Sequence, residues 1–286
     1  RESAMGLLIV PLLVQMLGSL EGSSAFDDPA TVSAETATNW AIMEHAPTVL
    51  ARLITDSEFL QKAAFECNAA KVFSKLLKDA CEPLPPTSTS RQPWSPTPQA
   101  EKKNPDREIG LPTCRLGPRG QSPLHAHRIR MRESSLKAVT ALMAFKDDYR
   151  KALVEQDIVP YIVESLSRTP SRPKSGQERE RPQPSSEGES LEPEGDSEYG
   201  TNPVSVIISA CHAVRMLSRS ISILRTSLED HGAAMPLFRL MRHPDLEVQI
   251  VATGAICNLV TEVAPMREVN LAPPPPPSMF LCGKYC

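Results

Sequence analysis

Ala213, Val214, Leu217 and Arg225 recur 42 positions later as Ala255, Ile256, Leu259 and Arg267. The same set occurs 75 positions upstream as Ala138, Val139, Leu142 and Arg150. That larger interval contains a polar segment of 36 residues, 168–203, and without it shrinks to the same period. A period of this length is one supersecondary unit stacked on copies of itself, because a single unit cannot bury its apolar face alone. A proline follows the arginine in the two earlier units, Pro160 and Pro236, and "IVPLLVQML" around Pro11 matches "IVPYIVESL" around Pro160.

Each unit reads as three helices. In "VQIVATGAICNLV", Val248, Val251, Ala252, Ala255, Ile256, Leu259 and Val260 return at three- and four-residue steps, which describes a helix burying a broad face. A short helix around the arginine and a second begun by proline, whose missing N–H costs nothing in a first turn, precede it. In the last full unit these are expected at 222–229, 235–242 and 246–262. "APTVLARLITDSEFLQKAAFECNAA" aligns with "MPLFRLMRHPDLEVQIVATGAICN". This places Pro47 at the start of a second helix, with Gln61, like Gln249, opening a third. The apolar start "MGLLIVPLLVQMLGSL" reads as a buried helix with Pro11 in its first turn, not a signal peptide, and as too short and interrupted for a membrane span.

Twenty of the 28 prolines fall in 82–122, 168–203 and 273–277. The first two segments have no apolar periodicity and are expected to be disordered loops. The second carries six acidic and no basic residues between Ser185 and Tyr199, and its proline-flanked serines and threonines, Thr169 among them, suit phosphorylation. The chain thus divides into repeat units at 1–81, 123–167 and 204–270, the loops 82–122 and 168–203, and a non-repeat tail, 271–286. The repeat enters mid-unit and breaks off after Arg267, as in a fragment or a gene model running into foreign sequence.

A net charge of −3 offers no global attraction to nucleic acid or anionic membrane. Seven cysteines without framework spacing read as reduced intracellular thiols, with Cys67, Cys211 and Cys257 packed as small hydrophobes. Neither "CGKYC" nor His125 and His127 of "HAHRIRMR" has companion metal ligands, and Arg128, Arg130 and Arg132 read as the polar start of a helix. No phosphate loop, nucleophile elbow or zinc-protease helix is present. The expectation is a protein without catalysis, metal or cofactor.

A 42-residue, three-helix period with "PDLEVQIVATGAICNLV" resembles the armadillo repeat, whose pattern runs Val-Gln, small residues, then Ala-Leu-x-Asn-Leu. The resemblance implies an all-α solenoid of about four units whose third helices line a groove for extended partners. Asn258 matches the motif's groove asparagine and Gly254 lies one turn before it. The equivalent positions are Met216 and His212, with Arg219 beyond, and then Ala141 and Lys137. An asparagine tying adjacent turns and a half-buried packing histidine are the plainer readings of Asn258 and His212.

The stretch "ACHAVRMLSRSISILRTSLEDH", continued in "CNLVTEVAPMRE", is similar to the armadillo-subunit family of the GID/CTLH ubiquitin ligase. Similarity is firm over 204–268 and weaker back to Met5. It implies a scaffold linking a substrate receptor to the ligase core for proteasomal degradation, in cytoplasm and nucleus. The family's later repeats, which help to form its receptor groove, are missing here. The alternative is an armadillo adaptor for peptides in nuclear import or membrane trafficking. An import receptor would carry tryptophan where Gly254, His212 and Lys137 stand. A nucleic-acid-binding solenoid would need a basic stripe.

Overall fold

The computed structural model describes residues 2–20, 34–82, 123–169, 201–219 and 222–260. Regular structure among them is entirely helical. The chain begins with α1 (Glu2–Ala4), a π-helical turn (Met5–Ile9) and α2 (Val10–Ser19), then α3 (Ala34–Ile54). Three complete triplets follow: α4 (Glu58–Glu66), α5 (Ala69–Ala80), α6 (Pro123–Leu142); α7 (Asp147–Glu155), α8 (Val159–Glu164), α9 (Val204–Leu217); and α10 (Ser222–Asp230), α11 (Ala234–Leu240), α12 (Leu246–Val260). With α2 and α3 as the second and third helices of a leading unit, this is a stack of about four. The third helices α3, α6, α9 and α12 pack in that order, each against the next. One continuous core runs from Val10 to Leu259.

The recurring residues now have structural reasons. Leu142, Leu217 and Leu259 are buried at matching places on successive third helices. Arg150, the arginine of the second triplet, donates from Nε to the Met143 carbonyl at 2.9 Å and from Nη2 to that of Ala144 at 3.2 Å. These are carbonyls at the end of α6 that the helix itself leaves unpaired. Each turn from first to second helix uses one left-handed residue, Asn68 (φ 62°), Asp157 (φ 54°) or Gly232 (φ 72°). Asn, Asp and Gly are the residues that adopt this conformation at least cost, and the residue after each is fully buried.

Several expectations need correcting. Pro47 lies inside α3, which runs through it as a third helix. Gln61 belongs to α4, a first helix, and donates from Nε2 to the Ala141 carbonyl of α6 at 2.5 Å. Gln249 instead donates to the His243 carbonyl just before its own helix, at 2.7 Å. Aligning buried Leu50 and Ile54 with buried Val139 and Met143 sets the true register of α3. The first helix is buried along one face only, by Gly6, Val10, Val14 and Leu17, while Leu7 and Leu8 are 73% and 69% exposed. Glu2–Ser19 is also an 18-residue run of mean hydropathy 1.5, enough by length and composition to cross a membrane, contrary to the reading of it as too short. Of the cysteines, Cys211 is buried and its thiol is pushed up to about 12 by that burial, whereas Cys257 is exposed.

The arginines of "HAHRIRMR" are not a solvated helix start. Arg128 and Arg132 are buried. Arg128 Nη1 donates to the Glu82 carbonyl. Arg132 donates from Nη2 to the Ala80 carbonyl at 2.9 Å and from Nη1 to Asn202 Oδ1. The Asn202 backbone N–H bonds the Arg168 carbonyl at 2.8 Å, and its Nδ2 donates to that of Ser167 at 2.8 Å. The expected loops and the tail lie outside the described residues, but these margins (82, 168–169 and 201–203) are built into the fold. Segments 21–33, 83–122 and 170–200 each connect a second helix to a third, at equivalent junctions of the repeat.

Between α3 and α6, His127 stacks on Trp40 with ring centroids 4.5 Å apart. Its Nδ1–H donates to Glu44 Oε1 at 2.7 Å, and Arg130 Nε donates to Glu44 Oε2 at 2.6 Å. Burial holds His127 below its ordinary value of 6.5, against the pull of Glu44 and helped by the charges of Arg130 and Arg128. Burial pushes the Glu44 carboxyl up, but its bonds to His127 and Arg130 prevail and leave it below 4.5. Both groups therefore take up protons more readily in the unfolded chain, and both favour the fold least in acid. The melting temperature is expected to fall as pH drops below about 6.5, with a further fall below about 4.5 as Glu44 titrates. A melting series from pH 8 to 4 checks this; His127→Gln should flatten the first step.

Candidate functional site

The stacked third helices create a surface that no single unit possesses. In the register set by the core, Thr48, Lys137, His212 and Gly254 form one row across α3, α6, α9 and α12. Arg52, Ala141, Met216 and Asn258 form the next, one helical turn along. A cleft of about 400 Å³ opens along these rows over α3, α6 and α9, lined among others by Thr48, Arg52, Lys137, Ala141, His212 and Met216. Lys137, His212 and Met216 are thus brought together, as the spacing implied. Thr48 and Arg52 were missed because Pro47 was read as a helix start; the signal was their match, ahead of "LITDSEF", to Lys137 and Ala141 ahead of "LMAFKDDY".

Lys137 is 43% exposed and ion-paired with Glu133, whose other oxygen accepts from Ser205 Oγ at 2.8 Å. The Ser205–Glu133 bond fastens α9 to α6. His212 is half-buried, and burial followed by the Arg215 charge, against Glu247, holds its imidazole below 6.5. It is a neutral polar group at neutral pH. Arg219 is exposed and, among the described residues, reaches the Met216 sulfur at 3.7 Å.

Asn258 and Gly254 extend the rows onto α12. Asn258 is partly exposed, and its Nδ2 donates to the Arg215 carbonyl at 3.2 Å, linking α12 to α9. The same carbonyl also accepts from Ser218 Oγ at 2.9 Å. The Oδ1 of Asn258 has no partner among the described residues. Asn258→Ala is therefore expected to cost under about 1 kcal/mol, since the Arg215 carbonyl stays paired and the link is partly solvated; chemical denaturation measures it. Gly254 was expected to be open groove surface, but the Arg215 guanidinium lies across it. An added Cβ would meet that group at 3.6 Å, an ordinary contact. Gly254→Ala should stabilise the chain by about 0.5–1 kcal/mol through the helix preference alone, seen as a raised melting temperature. A larger side chain would displace Arg215.

No family model matches the chain. It is 30% identical over 227 residues to GID complex subunit 5 of Schizosaccharomyces pombe, an alignment covering 78% of this chain and 22% of that protein. It is 27% identical over 145 residues to armadillo repeat-containing protein 8 of Xenopus laevis, covering 50% of this chain and 15% of that protein. The chain is an armadillo-repeat protein. Its homologues include the two just named, and it spans under a quarter of their length. Among solved structures, a designed armadillo repeat protein in complex with the peptide (KR)4 superposes with a TM-score of 0.48 at 13% identity, covering 91% of this chain and 85% of that one. The two rows above run across four successive third helices.

Proposed function

We propose that this armadillo chain is a non-catalytic scaffold in a GID/CTLH-type ubiquitin ligase, where it links a substrate receptor to the ligase core. The supporting observation is the 30% identity to GID complex subunit 5 across 227 residues, 78% of this chain. A stack of this kind suits the role physically. Each added unit extends a rigid surface without changing its neighbours, and an extended partner segment can cross several third helices at once. Thr48, Lys137, His212, Met216, Arg219 and Asn258 are the residues offered to that partner, with Arg215 in place of the Gly254 it covers. The work is carried out in cytoplasm and nucleus and leads to proteasomal degradation of the captured substrate.

Affinity capture of the full-length gene product from its own cells, followed by quantitative mass spectrometry, tests the reading. The other ligase subunits should co-purify in fixed ratio, and a tagged copy should occur in both compartments. Recovery of transport receptors or their cargo, with no ligase subunit, would replace the scaffold by an import or trafficking adaptor.

A further inference from the structure

The groove has a charge that the chain as a whole does not. None of the twelve residues lining the cleft is acidic, while Arg52 and Lys137 are basic. Lys137 is neutralised by Glu133. Arg52 makes no ion pair among the described residues, and neither does Arg215, spread over Gly254, nor Arg219, which touches only a thioether. Nearby acidic groups do little to offset them. Glu133 is shared between Lys137 and Ser205, Glu247 faces His212, and Asp56 sits in the turn after α3. Three guanidiniums without an ion pair among the described residues, on a chain of net charge −3, are a local feature, not an average.

Resting on the reading of this face as a partner groove, we propose that its occupant is an extended acidic peptide, with carboxylates seated at Arg52 on one side and at Arg215 and Arg219 on the other. A guanidinium fork matches a carboxylate in two parallel hydrogen bonds, which selects that group above other polar ones. Neighbouring packed helices lie about 8–10 Å apart, so the two cationic ends are separated by roughly 16–20 Å. An extended chain rising about 3.3 Å per residue crosses that gap in five or six residues. Between the ends, Ala51, Ala141, Ala144, Ile208 and Met216 give an apolar floor for small side chains. The unpaired Oδ1 of Asn258 is placed to accept a peptide N–H. A single-stranded nucleic acid fits less well, because the lining holds one ring, His212, and successive bases would have no run of aromatic side chains on which to stack.

Fluorescence anisotropy on the whole chain tests this with labelled peptides of about ten residues, long enough to cross the cleft: one alternating glutamate and serine, one glutamine and serine, and one lysine and serine. The glutamate peptide should bind about tenfold tighter than the glutamine peptide, as two or three exposed ion pairs allow. That preference should fade with added salt. The double variant Arg52→Glu/Arg219→Glu, with an unchanged melting temperature, should lose it. Equal binding of all three peptides would overturn the acidic selectivity and leave the groove reading standing. Binding of none would overturn both. Oligouridine of the same length binding more tightly than the glutamate peptide would overturn the assignment of a peptide.

Discussion

Replacing Glu44 with alanine is expected to destabilise the chain by about 3 kcal/mol, the low end of what breaking a buried ion pair costs. The carboxylate is 3% exposed and holds two groups at once, His127 through one oxygen and Arg130 through both. Without it, the buried imidazole has a donor and no acceptor, and Arg130 keeps only the water it already reaches at 36% exposure. Partial solvation of the arginine is why the low end applies. Glu44 sits on α3 and both partners on α6, so the loss falls on the contact between two units and should loosen the leading one first. Urea denaturation followed by helical circular dichroism measures the change. A loss under about 0.5 kcal/mol, the size of an ordinary surface effect, would show that the cluster contributes little to the stack.

Arg132→Ala is expected to cost about 2–4 kcal/mol. The Ala80 carbonyl and Asn202 Oδ1 would both lose their donor in a buried place, at about 1–3 kcal/mol each. Truncating the long side chain also leaves unfilled volume. This arginine ties the end of α5, where the first proline-rich segment departs, to Asn202, where the second returns. Arg132→Lys should recover only part of the loss, because one ammonium on a flexible stem cannot span both acceptors as the planar fork does. Full recovery by lysine would mean that charge, not the two-point geometry, holds this seam.

The stacking of units was legible because a period shared by Leu142, Leu217 and Leu259 survives the insertion of a long polar segment. Helix limits in the last unit came within a few residues for the same reason: expected at 222–229, 235–242 and 246–262, they lie at Ser222–Asp230, Ala234–Leu240 and Leu246–Val260. The leading unit was misread because proline usually starts a helix, and Pro47 does not. Here the buried face of α3 outweighs that local preference, and the shift concealed Thr48 and Arg52. Arg128, Arg132 and Glu44 were illegible as a group. Charged residues in sequence suggest a solvated face, and only the packing of α3, α5 and α6 shows that these three side chains are buried and bonded. The left-handed turns at Asn68, Asp157 and Gly232 were present in the sequence as three residue types with one backbone property in common. No side-chain match would reveal them.

The proposed function puts the partner on the face of the third helices that carries the two rows. The most direct test carries two sets of substitutions into the full-length gene product. One is Arg52→Ala/Met216→Ala/Asn258→Ala on α3, α9 and α12. The other is Lys71→Ala/Met235→Ala, at exposed positions on the second helices α5 and α11. Quantitative capture should show ligase partners lost with the first set and retained with the second, at matched melting temperatures. Partners retained by the first set and lost with the second would place the interface on the other side of the stack.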